Sequence, residues 1–294
     1  MAMIEEFLDY LQFERRRSSL TVKSYSEDLC AFEAFFKNLG DQLTWESVDS
    51  DVIRDWMESM MDKGNRATSV NRRLSALRSL YRFALSRNMV DHDPARRVQG
   101  PKKGKPLPQF LKENEMDRLL DDTEWGDDYK SVRARTIIMM FYETGMRLAE
   151  LIGLDTGSID YVNHQVKVTG KGNKQRIIPF GNELESTLKA FVLLRDKIVG
   201  RKDEAFFVTE KGCRMTPAQV RAEVRQQLSK VCTMKKLSPH VLRHTFATAM
   251  LNHGAGIESV KRLLGHESVS TTEIYTHTTF EQLKRVYDEA HPRA

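Results

Sequence analysis

The stretch Ser238–His277, SPHVLRHTFATAMLNHGAGIESVKRLLGHESVSTTEIYTH, decides the reading of the chain. Ser238 reads as an N-cap and Pro239 as the first helical residue. His240 and Arg243 then fall in the opening turns, three apart and on one face, beside the positive end of the helix dipole. An imidazole, a guanidinium and free backbone N–H groups at a helix start make an anion site, with phosphate the fitting anion. Gly265 reads as the stop of a second helix, Ile257–Leu264, with His266 directly after it. Ser270 and Thr271 can cap a short third helix carrying Tyr275. His240 and His244 have the i, i+4 spacing of a zinc site, but HVLRH has Arg243 between them and no carboxylate in the base position. His244 and His253 read as ordinary core or surface residues.

The chain has 294 residues, 40% of them hydrophobic, enough for two domains with cores of their own. Its net charge of +5 is unevenly spread. Residues 1–65 hold 7 Lys/Arg against 14 Asp/Glu, and residues 66–105 hold 11 against 2, a swing from −7 to +9. A basic block that dense suits a polyanion, or else is a solvated helix face with a basic linker. Three scattered cysteines argue against a disulfide framework or a zinc ribbon and fit a reducing cytoplasm. No signal peptide and no apolar run of membrane-spanning length is present, so a cytoplasmic protein with no membrane partner is expected.

The fold class expected is mainly α with a small β-sheet, an α+β chain. Residues 1–88 read as a helical domain, with helices over Ile4–Glu14, Leu20–Asn38, Trp45–Asp62 and Thr68–Arg87. The last carries Val70, Leu74, Leu77, Tyr81 and Ala84 as an apolar stripe, while Arg72, Arg78 and Arg82 lie off it and can meet DNA phosphates. Residues 89–109 read as an extended basic linker, with four prolines and two glycines between Asn88 and Pro108. Residues 110–294 read as the second domain. Helices over Glu113–Asp121 and Val132–Thr144 lead to Gly145, and Arg147 opens a short helix with Glu150 three residues on. Strands Gln165–Thr169 and Gln175–Pro179 flank the turn Gly170-Lys171-Gly172-Asn173, with Lys171 at its tip and Lys174 close enough to compete for its role. Phe206–Thr209 reads as a further strand, and a helix over Thr279–Ala290 ends the chain.

Arg147, Lys171, His240, Arg243, His266 and Tyr275 together suit phosphoryl transfer. Two arginines can clamp a phosphodiester, and a tyrosine can attack phosphorus. A lysine can protonate the leaving oxygen, and a histidine can help deprotonate the tyrosine. No metal or other cofactor is needed, and a second hydroxyl can reseal the ester.

The motifs TGMRLAEL (Thr144–Leu151), TGKGNKQR (Thr169–Arg176), HVLRH (His240–His244), LLGH (Leu263–His266) and YTH (Tyr275–His277) resemble, in order and spacing, those of the tyrosine recombinases of the integrase superfamily. The resemblance covers the whole chain. It implies a core-binding, SAM-like N-terminal DNA-binding domain and a C-terminal tyrosine-recombinase catalytic domain. It also implies roles: Arg147 and Arg243 as the phosphate clamp, Lys171 as the general acid, His240 as an acid/base partner, His266 as a phosphate-contacting donor and Tyr275 as the nucleophile. Glu150 would support Arg147. Within the superfamily the chain looks most like the Xer recombinases, which resolve chromosome dimers. The partners implied are double-stranded DNA with two inverted half-sites and a homo- or hetero-tetramer across two sites. A paralogous recombinase and a septal DNA translocase would complete the set. An integrase of a mobile element uses the same chemistry. A strand-relaxing tyrosine topoisomerase and a non-catalytic DNA-binding protein of the same fold are rival possibilities. The short amphipathic helix after Tyr275 must dock somewhere; it can cover its own domain, while the resemblance points to a neighbouring subunit.

Overall fold

Four amphipathic helices account for the first unit, Met1–Pro106, of the computed structural model, which describes residues 2–40, 42–104, 109–200, 203–234, 236–265 and 277–294. Helix α1 (Ala2–Asp9) runs into a π-helical turn, Tyr10–Glu14, and is followed by α2 (Ser19–Leu39), α3 (Ser50–Asp62) and α4 (Ala67–Ser86). Asp49 caps α3, accepting from the N–H groups of Asp51 at 2.9 Å and Val52 at 3.0 Å. That cap is why α3 starts at Ser50 rather than at Trp45 as the apolar spacing suggests. Trp45 and Val48 nevertheless stay buried in a core with Phe32, Phe36, Trp56 and Tyr81.

Beyond α4 the chain turns at 87–88 and 94–95 without forming a further helix among the described residues of this unit, and it packs on α4. Val90, Ala95 and Val98 are buried in the same core. Arg78 donates from Nε to the Ala95 carbonyl at 3.2 Å and from Nη2 to that of Val98, and Asn71 donates to the Pro101 carbonyl at 2.8 Å.

The second unit, Leu107–Ala294, is built around α6 (Tyr129–Thr144). Short α5 (Glu113–Asp117) precedes it, and Asp128 caps it through the Lys130 and Ser131 N–H groups. From Thr136 to Thr144 it is buried on every side. Gly145 ends it in the left-handed region, φ 57°, and a Cβ there would lie 2.5 Å from Phe246 Cδ1 and 2.9 Å from Leu264 Cδ2.

Helix α7 (Leu148–Ile152) leads to an antiparallel sheet of β1 (Ile159–Asp160), β2 (Gln165–Thr169) and β3 (Gln175–Pro179), in the order β1-β2-β3. Val166 faces Ile178 and Val168 faces Arg176. The expected strand at Phe206–Thr209 does not join this sheet. Its backbone makes an isolated bridge, Val208 with Arg214, while Phe206 and Phe207 fill the core beside Phe191.

Helices α8 (Asn182–Ile198), α9 (Pro217–Leu228), α10 (Pro239–Asn252), α11 (Ile257–Leu264) and α12 (His277–Ala290) complete the unit. No described helix is long and apolar enough to cross a membrane.

Of the two expected seats for helix α12, its own domain or a neighbour, this single chain shows the first. Leu283, Tyr287 and Ala290 are buried, and the Tyr287 hydroxyl donates to Glu143 Oε2 at 3.2 Å. The His291 ring stacks on Tyr287 with centroids 5.0 Å apart. Arg293 then pairs with Asp117, Asp121 and Glu183. An apolar face with a buried hydroxyl partner and a three-carboxylate anchor gives the helix a home without a second subunit.

Two stability effects follow. Gly145→Ala forces a side chain into left-handed backbone and into Phe246, and should cost about 1–3 kcal/mol in urea denaturation of the second unit. Glu143 is held by burial at a pKa of about 8, against 4.5 for a free carboxyl, so it is protonated in the folded protein at neutral pH. The unfolded chain loses that proton from 4.5 upward, and the folded chain only near 8, so stability falls across this window as pH rises. Glu143→Gln removes that loss. Its melting temperature relative to wild type should climb with pH through the same window, and a flat difference would contradict the assignment.

Candidate active site

Three guanidiniums meet the last turn of α11. The final carbonyls of a helix have no N–H ahead of them and need other donors. Here Arg176 Nε donates to Leu263 O at 3.0 Å, Arg243 Nη2 to Leu264 O at 2.7 Å and Arg147 Nη2 to Gly265 O at 2.8 Å. The negative end of the helix dipole favours the same charges. Gly265 closes the turn with φ 66°, and a Cβ on it would sit 3.1 Å from three atoms of Arg176.

Each arginine has a second anchor. Arg243 Nη1 donates to Gly145 O at 2.6 Å, which ties α10 to the end of α6. Arg147 occupies the N-cap position of α7, and Glu150 at the third helical position accepts from its backbone N–H at 2.6 Å, as in a capping box. Glu150 also accepts from Arg147 Nη1 at 2.9 Å and from both terminal nitrogens of Arg176, at 2.6 and 2.9 Å. The expected ion pair of Arg147 and Glu150 is therefore one side of a buried triad.

Glu150 is 2% exposed. Burial alone would raise its pKa, but the hydrogen bonds and charges of Arg176 and Arg147 outweigh burial and hold it below the usual carboxylate range. Arg243 is 8% exposed, and no carboxylate among the described residues hydrogen-bonds to it. Burial first, then repulsion from Arg147 and Arg176, brings its pKa down to about 10, so it stays charged at neutral pH. Among the described side chains, three guanidiniums against the Glu150 carboxylate leave a local charge of +2.

His240 lies at the start of α10, exposed while Arg243 is buried. Desolvation, then the charges of His244, Arg243, Arg221 and Arg147, hold its pKa below the usual imidazole value. It is thus biased toward the neutral form, which can accept a proton. Ser238 holds the N-cap position, although its side chain makes no capping bond. The backbone of Lys171 opens the 3-10 turn Lys171–Asn173 between β2 and β3, closed by Gly170 N–H to Lys174 O at 2.7 Å. His266, Tyr275 and the short helix expected after Ser270 lie outside the described residues, between Gly265 and His277.

Of the arginines off the α4 stripe, Arg72 and Arg82 are exposed and Arg78 is half-buried, and Arg72 and Arg78 also hold protein groups. Arg72 grips Asp28 through both terminal nitrogens, and Arg78 holds the carbonyls of Ala95 and Val98. The sequence reading gives Arg176 no role beyond membership of TGKGNKQR. The available signal was alternation: Arg176 and Ile178 share the inward phase of β3, where a charged residue needs a buried partner.

The phage integrase family model matches residues 109–282, and that of the phage integrase N-terminal SAM-like domain matches residues 4–88. The chain is 38% identical to tyrosine recombinase XerC of Staphylococcus carnosus over 99% of this chain and 97% of that protein. It is 35% identical to XerC of Chlorobaculum tepidum, over 98% of this chain and 94% of that one. Among solved structures, the XerH site-specific recombinase in its post-cleavage complex with palindromic difH substrate superposes with a TM-score of 0.73 at 22% identity, covering 96% of this chain and 83% of the other. The Tn1549 transposon integrase in complex with circular intermediate DNA gives 0.74 at 17%, covering 96% and 99%. At these identities the structural likeness is one of fold. The full-length sequence likeness and the family match agree with the arginine-lined site, and the chain belongs to the phage integrase family as an Xer-like tyrosine recombinase.

Proposed function

We propose that this chain cuts and rejoins duplex DNA at a defined site through a 3′-phosphotyrosyl intermediate, in Xer-type resolution of chromosome dimers. The observation that carries the reading is Arg243, a buried cation with carbonyl partners and, among the described residues, no hydrogen-bonded carboxylate, next to Arg147 where the described side chains carry net positive charge. A phosphodiester supplies the missing anion. Each of these guanidiniums has five N–H donors, and the anchors fix its plane while leaving others for non-bridging oxygens. Charge growing on those oxygens in the transition state meets cations already in place.

In this mechanism the Tyr275 oxygen attacks phosphorus and displaces the 5′ oxygen, which takes a proton from Lys171. His240, biased toward its neutral form by desolvation and then by its cationic neighbours, accepts the tyrosine proton, and His266 adds a donor to the phosphate. Attack by the 5′ hydroxyl of another strand reverses these steps and reseals the backbone. Tyr287 is no substitute nucleophile, being buried against Glu143 with its pKa pushed well above 10. We place the enzyme in the cytoplasm. It acts as a tetramer on two sites of two inverted half-sites each, alone or with a paralogous recombinase, under a septal DNA translocase. Supporting this are the XerC relatives, and the XerH and Tn1549 integrase complexes, which hold DNA.

Trapping on nicked genomic fragments, with sequencing of the bound DNA, tests the reading. One chromosomal locus is the expected result; the ends of a mobile element would favour an integrase instead, and no adduct would overturn the reading. Tyr275→Phe should bind the trapped DNA normally and form no adduct, and cleavage by that variant would remove Tyr275 as the nucleophile. Lys171→Ala should slow cleavage by about two to four decades. Sulfur at the 5′ bridging position leaves without a proton and should restore the rate; failure of that rescue would move the acid role to a residue such as Lys174.

A further inference from the structure

We infer that Arg176 is a positioning residue for strand cleavage, holding Glu150, and through it Arg147, against the last turn of α11. This rests on the chain acting as a recombinase. Arg176 is 8% exposed on the inward phase of β3 and spans two elements that the site requires. Its terminal nitrogens meet both Glu150 oxygens, and its Nε meets Leu263 O. That planar fork fits a carboxylate two-point and leaves Nε to bond at an angle, which a lysine cannot reproduce. Glu150 in turn reaches both the backbone and the side chain of Arg147. Arg176 therefore fixes the carboxylate that aims Arg147 and also fixes the helix end from which the chain departs toward His266 and Tyr275.

Among the described side chains, the charges facing Glu150 are Arg147 beside it, Arg176 from β3 and Arg243 from α10. Arg147 is tied to Gly265 O and Arg243 to two carbonyls, so only Arg176 meets Glu150 at both oxygens from its terminal nitrogens. Without it, burial dominates, and Glu150 takes up a proton at a higher pH than in the wild type.

The test compares wild type, Arg176→Met, Glu150→Gln and the double variant on nicked duplexes that the wild type traps. Adduct formation is measured in single turnover from about pH 6 to pH 9, with DNA affinity alongside. Arg176→Met should keep its affinity and slow adduct formation by about 100-fold near neutral pH, the scale of a misplaced catalytic group. Its rate relative to wild type should rise with pH as Glu150 ionises. The double variant should be no slower than Glu150→Gln, and its relative rate should not change with pH. An unslowed Arg176→Met, a pH-independent loss, or losses that multiply in the double variant would each overturn the inference. Arg176→Lys covers the case in which the methionine variant does not fold. A folded lysine variant slowed by about tenfold supports positioning by the fork, and the wild-type rate refutes it. Absence of adduct with wild type would instead refute recombinase activity itself.

Discussion

Three arginines share the last turn of one short helix, and the site depends on that arrangement. Left alone, Leu263, Leu264 and Gly265 would present carbonyls without partners at a buried helix end. Left alone, Arg147, Arg176 and Arg243 would repel one another. Each deficit answers the other through the bonds to the α11 carbonyls, at 2.7 to 3.0 Å. Among the described side chains Glu150 neutralises only part of the charge. On the proposed reading the result is pre-organisation: Arg176 and Arg243 are buried, Arg147 is partly exposed, and all three are held in place before any phosphate arrives.

Two glycines make the geometry possible. Gly145 and Gly265 both end helices in left-handed backbone, and both have carbonyls that take a guanidinium, from Arg243 and Arg147 respectively. A Cβ at Gly145 would clash with Phe246 and Leu264, and one at Gly265 would press on the Arg176 side chain at 3.1 Å. Helix termination and cation placement are thus one feature. Helix α12 adds a separate constraint. With Tyr287 on Glu143 and Arg293 on three carboxylates, the end of the chain is fixed on the same unit, leaving a limited length between Gly265 and His277 in which Tyr275 must lie.

Much of this was legible in the sequence. The helices over 19–39 and 67–86 and the hairpin 165–179 follow from apolar period and glycine punctuation, and they fall within about two residues of their expected bounds. Arg147, Glu150, His240 and Arg243 were readable from local spacing and motif. What escaped was long-range. Arg243 appears in the sequence as a helix N-terminal group, but its bonds go to residues 98 positions earlier and 21 later. Arg176 looks like a hairpin cation until β3 turns it inward onto Glu150, 26 positions away. Arg72 and Arg78 lie off the apolar stripe, as expected, and also bond to Asp28 and to the carbonyls of Ala95 and Val98, partners that the stripe does not reveal. Periodicity shows which face a residue occupies and is silent on what another segment brings to that face. The seat of α12 was out of reach of periodicity for the same reason, since Glu143 and the three carboxylates that hold it come from α5, its following turn, α6 and α8.

The central claim is that the α11 carbonyls and Glu150 hold Arg147 and Arg243 ready for a phosphodiester. The most direct measurement is a crystal structure of the chain covalently trapped on a nicked duplex. The expected result places the phosphotyrosyl oxygens within hydrogen-bond distance of both arginines, with the bonds to Gly145, Leu264 and Gly265 and the Glu150 triad retained. A phosphate bound away from these arginines, or one reached only after they release the α11 carbonyls, would contradict it.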